Sequence, residues 1–258
     1  MGSRSCPRSA VCAHIARRHF LVGSLAAAFL QGCAAELTPA ALAEVDRLGS
    51  FELVPGRPGV VIGVPHGTPD VGTLEVGRIV RERIGASGVI VTGFWNAQTR
   101  ERINVNRPTE EVIGQHSEVL KQWASPRAVH VNARYHALVE QAAQGPLRCF
   151  YEIHSNHDPR YVNSVEVSTL GVSRDEALRL KNAFTASLGK LDPEIPRLDM
   201  HVAPLDRVTY SYEHASSLAR ISSKGCLIES PGRVFERSPW RRAYARLLAE
   251  AIIVAAWY

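Results

Sequence analysis

Val60-Val61-Ile62-Gly63-Val64-Pro65-His66-Gly67-Thr68-Pro69-Asp70 is the stretch whose reading decides the fold. Its first five residues form a short β-branched run without polar alternation, the signature of a strand buried on both faces of a parallel sheet. The strand delivers His66 and Asp70 at its carboxyl end. Gly72 to Ile84 follows, with Leu74, Val76, Ile79, Val80 and Ile84 at mainly helical spacing, and Gly88–Phe94 reads as a second strand after a Gly-rich turn. Strand, loop, helix, strand is a βαβ unit, which implies a parallel sheet.

The same alternation continues in both directions. Upstream, the turn-prone Pro55-Gly56-Arg57-Pro58-Gly59 is preceded by an Ala- and Leu-rich helix, Ala34–Leu48, with Thr38-Pro39 as its start signal. Downstream, Glu110–Ala143 is expected to be largely helical, Leu147–Ile153 a strand ending at His154, and Asp175–Leu188 a helix. Cys226-Leu227-Ile228 reads as a short strand ending at Glu229, and Trp240–Tyr258 as a closing amphipathic helix. No internal repeat, low-complexity tract or linker interrupts residues 34–258, so a single domain is the economical reading. The expected architecture is a three-layer α/β/α sandwich with a mixed, mainly parallel sheet.

A formal charge of +5 invites a nucleic-acid partner. Arg4, Arg8, Arg17 and Arg18 precede the first acidic residue, however, and account for +4 of that charge. The remainder carries +1, which excludes a basic footprint for DNA or RNA. The opening residues instead read as a targeting segment. Paired arginines at Arg17-Arg18, ahead of Phe20-Leu21, resemble a twin-arginine export signal. The apolar run Leu21–Leu30 is too short for a bilayer, which needs roughly 20 residues. Leu30-Gln31-Gly32-Cys33 resembles a bacterial lipobox, so residues 1–33 are expected to direct export, with Cys33 lipidated. Localisation is then periplasmic or at the cell envelope, with membrane contact only through that lipid. Cys149 and Cys226 remain in the mature part. An oxidising compartment permits them to pair, and two buried free thiols are an equal alternative.

Three inferred strands end in a polar residue able to do chemistry: His66, His154 and Glu229. Ligands of open α/β sheets bind beyond the carboxyl ends of strands. His66 and Asp70, four apart across a Gly-Pro loop, can bring an imidazole and a carboxylate to one ion, and His154 supplies a third donor. Two His and one carboxylate form an established catalytic zinc set. Zinc polarises a scissile carbonyl and makes water acidic, with a pKa of about 7. A carboxylate must still move that water's proton to the leaving nitrogen, and Glu229 is placed for it.

These motifs resemble those of the N-formylglutamate amidohydrolases, which share the fold of zinc carboxypeptidases. Val61–His66 is similar to their first strand and His, Arg100–Pro108 to their arginine segment ending in Asp-x-Asn-Arg, and Tyr151-Glu152-Ile153-His154-Ser155 to their Asp-Leu-His-Ser strand end. Glu229 stands where that fold keeps its catalytic Glu, and the order is the same over roughly residues 58–235. The resemblance implies that Asn106 and Arg107 hold the substrate's free carboxylate. Arg100 or Arg102 would assist or stabilise the oxyanion, and the family's spacing favours Arg100. Tyr210, Tyr212 and His214 lie where relatives keep a substrate-contacting tyrosine; Tyr212 is the expected one.

The chain departs from the pattern at three places. The acidic ligand of zinc carboxypeptidases falls at Pro69, so Asp70 is the expected donor, with Glu75 in reserve. Asn104 and Glu152 stand where the family has Asp, as groups that could orient a His ligand. His157 is an alternative ligand in a shifted register. The implied activity is zinc-dependent hydrolysis of an amide in a small molecule or short peptide with a free carboxylate. A cell-envelope zinc carboxypeptidase or peptidoglycan amidase is the alternative on the same fold, and a non-catalytic lipoprotein binding module is the alternative from another class.

Overall fold

The structure is a computed structural model that describes residues 37–256 apart from 116–117, 191–194, 211, 213–215 and 219–220. The expected export signal and the Cys33 lipidation site lie outside the described residues.

In chain order the elements are α1 (Pro39–Arg47), β1 (Gly49–Val54), β2 (Arg57–Val64), α2 (Thr73–Ile84), β3 (Ala86–Gly93), β4 (Trp95–Asn96), β5 (Glu101–Asn104), β6 (Thr109–Ile113) and β7 (Val119–Ala124). They continue as α3 (Pro126–Ala143), β8 (Cys149–Asn156), β9 (Ser164–Leu170), α4 (Arg174–Leu188), β10 (Asp199–Val202), β11 (Lys224–Pro231) and α5 (Ser238–Ala255). Seven strands form one sheet in the order β1-β3-β2-β8-β11-β9-β10. The four central strands β3, β2, β8 and β11 are mutually parallel. β1 pairs with β3 and β9 with β11 in the antiparallel sense. This is the mixed, mainly parallel sheet expected from the sequence.

Side chains alternate between two cores because successive residues of a strand point to opposite faces. Val60, Ile62 and Val64, with Tyr151, Ile153, Cys226 and Ile228, pack under α2, α4 and α5. Val61, Phe150 and Leu227 face the other way, toward α3. Both faces of the central strands are therefore covered, and polar alternation sets in only toward the carboxyl end of β8, at Glu152, His154 and Asn156. Cys149 and Cys226 are buried free thiols within the first of these cores.

The long helix expected over Glu110–Ala143 is corrected by the structure. Only Pro126–Ala143 is helical, and the preceding residues form β6 and β7 of a second, antiparallel sheet ordered β4-β5-β6-β7. The physical boundary is Ser125-Pro126. The Ser125 hydroxyl accepts from the Ala128 N–H at 3.0 Å, and a proline without an N–H is at home in the first turn. Ahead of it, Thr109, Val112 and Ile113 are β-branched residues that favour a strand. β1, β9 and β10 were not foreseen; β9 nonetheless alternates plainly, with Val165 and Val167 in the core beneath α4 and Glu166 and Ser168 on the α3 side.

Gly63 has a packing reason. A methyl group there would overlap the Tyr135 hydroxyl and the Phe150 ring, both fully buried. Gly63→Ala is expected to cost about 1–3 kcal/mol through overpacking. Denaturant unfolding measures it, and an unchanged midpoint would show that the two rings can move aside.

Candidate metal and catalytic site

The loop after β2 is folded so that Asp70 returns to His66. The Asp70 N–H donates to the His66 carbonyl at 2.8 Å, and Gly67 N–H to the Val91 carbonyl at 3.1 Å. A side chain at Gly67 would strike Leu74 and the Val91 carbonyl, so only glycine lets the loop pass this close to β3. The Thr73 hydroxyl then donates to the Asp70 carbonyl at 2.7 Å as α2 begins. On β8, Glu152, His154 and Asn156 alternate onto the α3 side of the sheet. β11 runs parallel alongside, and Glu229 is the direct partner of His154. Neighbouring strands lie about 4.8 Å apart, so the register itself brings carboxyl and imidazole together.

His66, Asp70, His154 and Glu229 line one cavity of about 340 Å³, closed on its far side by the second sheet. Arg102, Asn104, Asn106, Arg107, Glu111 and Tyr210 complete much of its wall. The two imidazole rings stand 5.3 Å apart, centre to centre, at 58°. His154 Nδ1 lies 3.8 Å from Asp70 Oδ2, which also accepts from the Ser155 N–H at 3.4 Å. His66 Nε2 meets Asn106 Oδ1 at 3.2 Å. His154 Nε2 is buried with no partner.

Burial dominates the electrostatics. It lowers the His66 pKa well below the ordinary value and the His154 pKa to about 3, in both cases helped by the nearby Arg102. Both rings are therefore neutral at physiological pH, as metal ligands must be. Burial also raises Asp70 to about 6, with Arg102 and the Ser155 N–H opposing it. Glu229 is pushed well above the usual carboxylate range, first by burial and then by Asp70 and Glu166. By surface area Glu229 is only half-buried, since it lines the cavity, and Asp70, Glu166 and Glu152 are the acids that act on it.

Among the described residues, no three His, Cys, Asp or Glu side chains close around a single point. The donor set still fits zinc in kind: two neutral imidazoles and a carboxylate side by side, with His154 Nδ1 facing Asp70 Oδ2. Two donors about 2.0–2.2 Å from one tetrahedral zinc stand about 3.3–3.6 Å apart. The 3.8 Å between His154 Nδ1 and Asp70 Oδ2 is slightly wider than that. Charge points the same way. Asp70, Glu111, Glu152, Glu166 and Glu229 gather on this side of the sheet around Arg102 and Arg107, an excess of acid that a divalent cation would offset.

Two expected site residues are corrected. Arg100 does not line the cavity: its guanidinium donates to the Ile113 carbonyl at 2.6 Å and to that of Gly114, and it lies over the Trp95 ring. Arg102, its neighbour two along, occupies the cavity wall and is held by Glu111 across the β5–β6 pair at 2.7 Å. Tyr212 is the second correction. It is 1% exposed, its ring packs on Gly225 in the α3-side core, and its hydroxyl is buried without a partner. Tyr210, 40% exposed, is the tyrosine at the cavity.

The remaining expectations sort clearly. Glu75, held in reserve as a ligand, turns away and pairs with Arg241 at 2.6 Å and Arg242 at 3.6 Å. Asn104 donates to Glu111 at 2.8 Å, and Glu152 accepts from Asn106 at 3.5 Å, from the Tyr135 hydroxyl at 3.4 Å and from the Ser216 side chain. His157 bonds the Ser155 hydroxyl at 3.1 Å and lines a neighbouring cavity with Asn156 and Arg233. Glu111 was missed. Fully buried, it receives Arg102, Asn104, Thr109 and Gln122, and reading Thr109–Ile113 as a strand would have placed it opposite Arg102.

The chain matches no protein-family model and no curated protein. Among solved structures it is similar to a bacteriophage poly-gamma-glutamate hydrolase, at 16% identity and TM-score 0.48 over 83% of this chain and 94% of that one. It is similar to a gene product of Agrobacterium tumefaciens at 16% identity and TM-score 0.49, covering 80% of this chain and 94% of that one. It also resembles a metallo-carboxypeptidase of Burkholderia cenocepacia at 14% identity and TM-score 0.42, covering 86% of this chain and 70% of that one.

Proposed function

We propose that this chain is a zinc-dependent hydrolase of amide bonds in small molecules or short peptides that carry a free carboxylate. One observation carries the reading: His66, Asp70 and His154 converge from two strand ends on a cavity that Glu229, Arg102 and Arg107 also line. His66, Asp70 and His154 would hold the ion. When bound, zinc supplies a Lewis acid for the scissile carbonyl. Glu229, its proton affinity raised by its surroundings, takes the proton of the attacking water and passes it to the leaving nitrogen. Arg102, fixed by Glu111, faces the charge that develops on the carbonyl oxygen. Arg107 holds the substrate carboxylate.

The N-formylglutamate amidohydrolase type is the member of this class that the motifs favour. An exported, Cys33-anchored protein would act at the envelope instead, on peptides or cell-wall fragments, and we assign it no nucleic-acid partner. A panel of N-acyl amino acids, dipeptides and muropeptides, scored for amine release, separates these substrates. Turnover should vanish after chelation and return with zinc. Stoichiometric zinc without turnover on any member would favour a binding module, a reading to which the slightly open donor set gives some weight.

Arg107→Ala is expected to raise KM about 10–100-fold with kcat little changed, the loss of one charge-assisted contact made equally in ground and transition states. Steady-state kinetics on a carboxylate substrate beside its amide analogue check it. An unchanged KM would remove Arg107 from the pocket.

A further inference from the structure

We propose that Asn106 is a positioning residue: it holds the His66 proton on Nε2 and so presents Nδ1 to the metal, and is itself held by Glu152 and Tyr135. The purpose of this arrangement rests on the zinc reading above; its geometry does not. The resemblance would have Asn106 bind substrate, yet both ends of its amide turn inward. Oδ1 lies 3.2 Å from His66 Nε2, and Nδ2 donates to Glu152 Oε2 at 3.5 Å. An amide oxygen only accepts, so His66 Nε2 must carry the hydrogen. A neutral imidazole has one such hydrogen, which leaves the lone pair on Nδ1.

The amide is prevented from turning over by what lies behind it. Tyr135, on α3 and fully buried, donates its hydroxyl to Glu152 Oε1 at 3.4 Å. The backbone is clamped as well, because the Asn106 carbonyl accepts from the Ser217 N–H at 3.0 Å and the Ser217 hydroxyl at 2.9 Å. Asn104, the other amide near the cavity, is committed to Glu111. The chain from Tyr135 through Glu152 and Asn106 to His66 is thus a relay of position. Groups of this kind typically set metal affinity by 10–100-fold. Recognition of the substrate carboxylate then falls to the arginines.

The test uses the full chain, free of metal and labelled with imidazole ¹⁵N, in long-range ¹H–¹⁵N correlation at neutral pH. His66 is expected to show the Nε2–H pattern. Asn106→Leu should turn it into a mixture and weaken zinc binding about 10–100-fold in competition with a chelating dye. Asn106→Asp keeps the acceptor toward His66 but loses the N–H that Glu152 accepts, so it should restore the tautomer and only part of the zinc affinity. Tyr135→Phe touches neither cavity nor donors, and should weaken zinc by a smaller factor. If Asn106→Leu fails to fold, the other two variants carry the comparison. An Nδ1–H pattern in the wild type overturns the inference, as does wild-type tautomer and affinity in Asn106→Leu. Should the tautomer follow Asn106 while no variant binds zinc, the positioning role stands and the metal reading falls.

Discussion

Glu229→Gln is expected to keep its zinc and lose hydrolysis by about 10²–10⁴-fold, the usual cost of removing a general base. The substitution is nearly isosteric, so the pairing of Glu229 with His154 across β8 and β11 and the packing around it should persist. What it removes is a carboxyl whose proton affinity the fold has raised by burial and by the neighbouring Asp70 and Glu166. A glutamine accepts hydrogen bonds but takes no proton. The loss should therefore fall on kcat, with KM near the wild-type value, because the missing interaction is one made in the transition state. Metal analysis of the same preparation is the control. Wild-type turnover in a zinc-loaded Glu229→Gln enzyme would assign the proton shuttle elsewhere; Glu166 is the other acid in register with it.

What the sequence showed and hid follows from which forces act locally. β2, β8 and β11 were legible because both their faces are buried, and such a strand advertises itself as a mostly apolar run. Their carboxyl ends were legible for the same reason: His66 and Glu229 are the first polar positions after such a run, and His154 follows one interrupted only by Glu152. Asp70 could be foreseen as near His66 from a loop of four residues. The second sheet was hidden because helix-forming residues of α3 follow β6 and β7 with only Ser125-Pro126 as punctuation. That omission propagated. Without β6 there is no partner for β5, and without the Arg102–Glu111 pairing nothing in the sequence distinguishes Arg102 from Arg100. The tyrosines failed differently. Tyr210 and Tyr212 are two apart, and which one reaches the cavity depends on the close approach of Tyr212 to Gly225, thirteen positions further along on β11.

The second large effect should come from His154→Ala, which is expected to weaken zinc by more than about 100-fold, beyond the 10–100-fold that outer partners usually command. His66→Ala should do the same. The two differ in what they leave behind. His154 carries a buried nitrogen, Nε2, without a partner, a feature that costs about 1–3 kcal/mol. Removing it opens space beside a cavity that water already reaches, so the metal-free His154→Ala protein should melt no lower than the metal-free wild type. His66→Ala leaves the Asn106 oxygen facing that space instead. Zinc at about 100 times its dissociation constant should raise the stability of the wild type by roughly 2.7 kcal/mol and leave either variant unmoved. Thermal scans with and without zinc, beside metal analysis, read all of this at once. Stoichiometric zinc in both variants would move the metal away from this cavity. A metal-free His154→Ala protein that melts far below wild type would mean that His154 holds the sheet together rather than an ion.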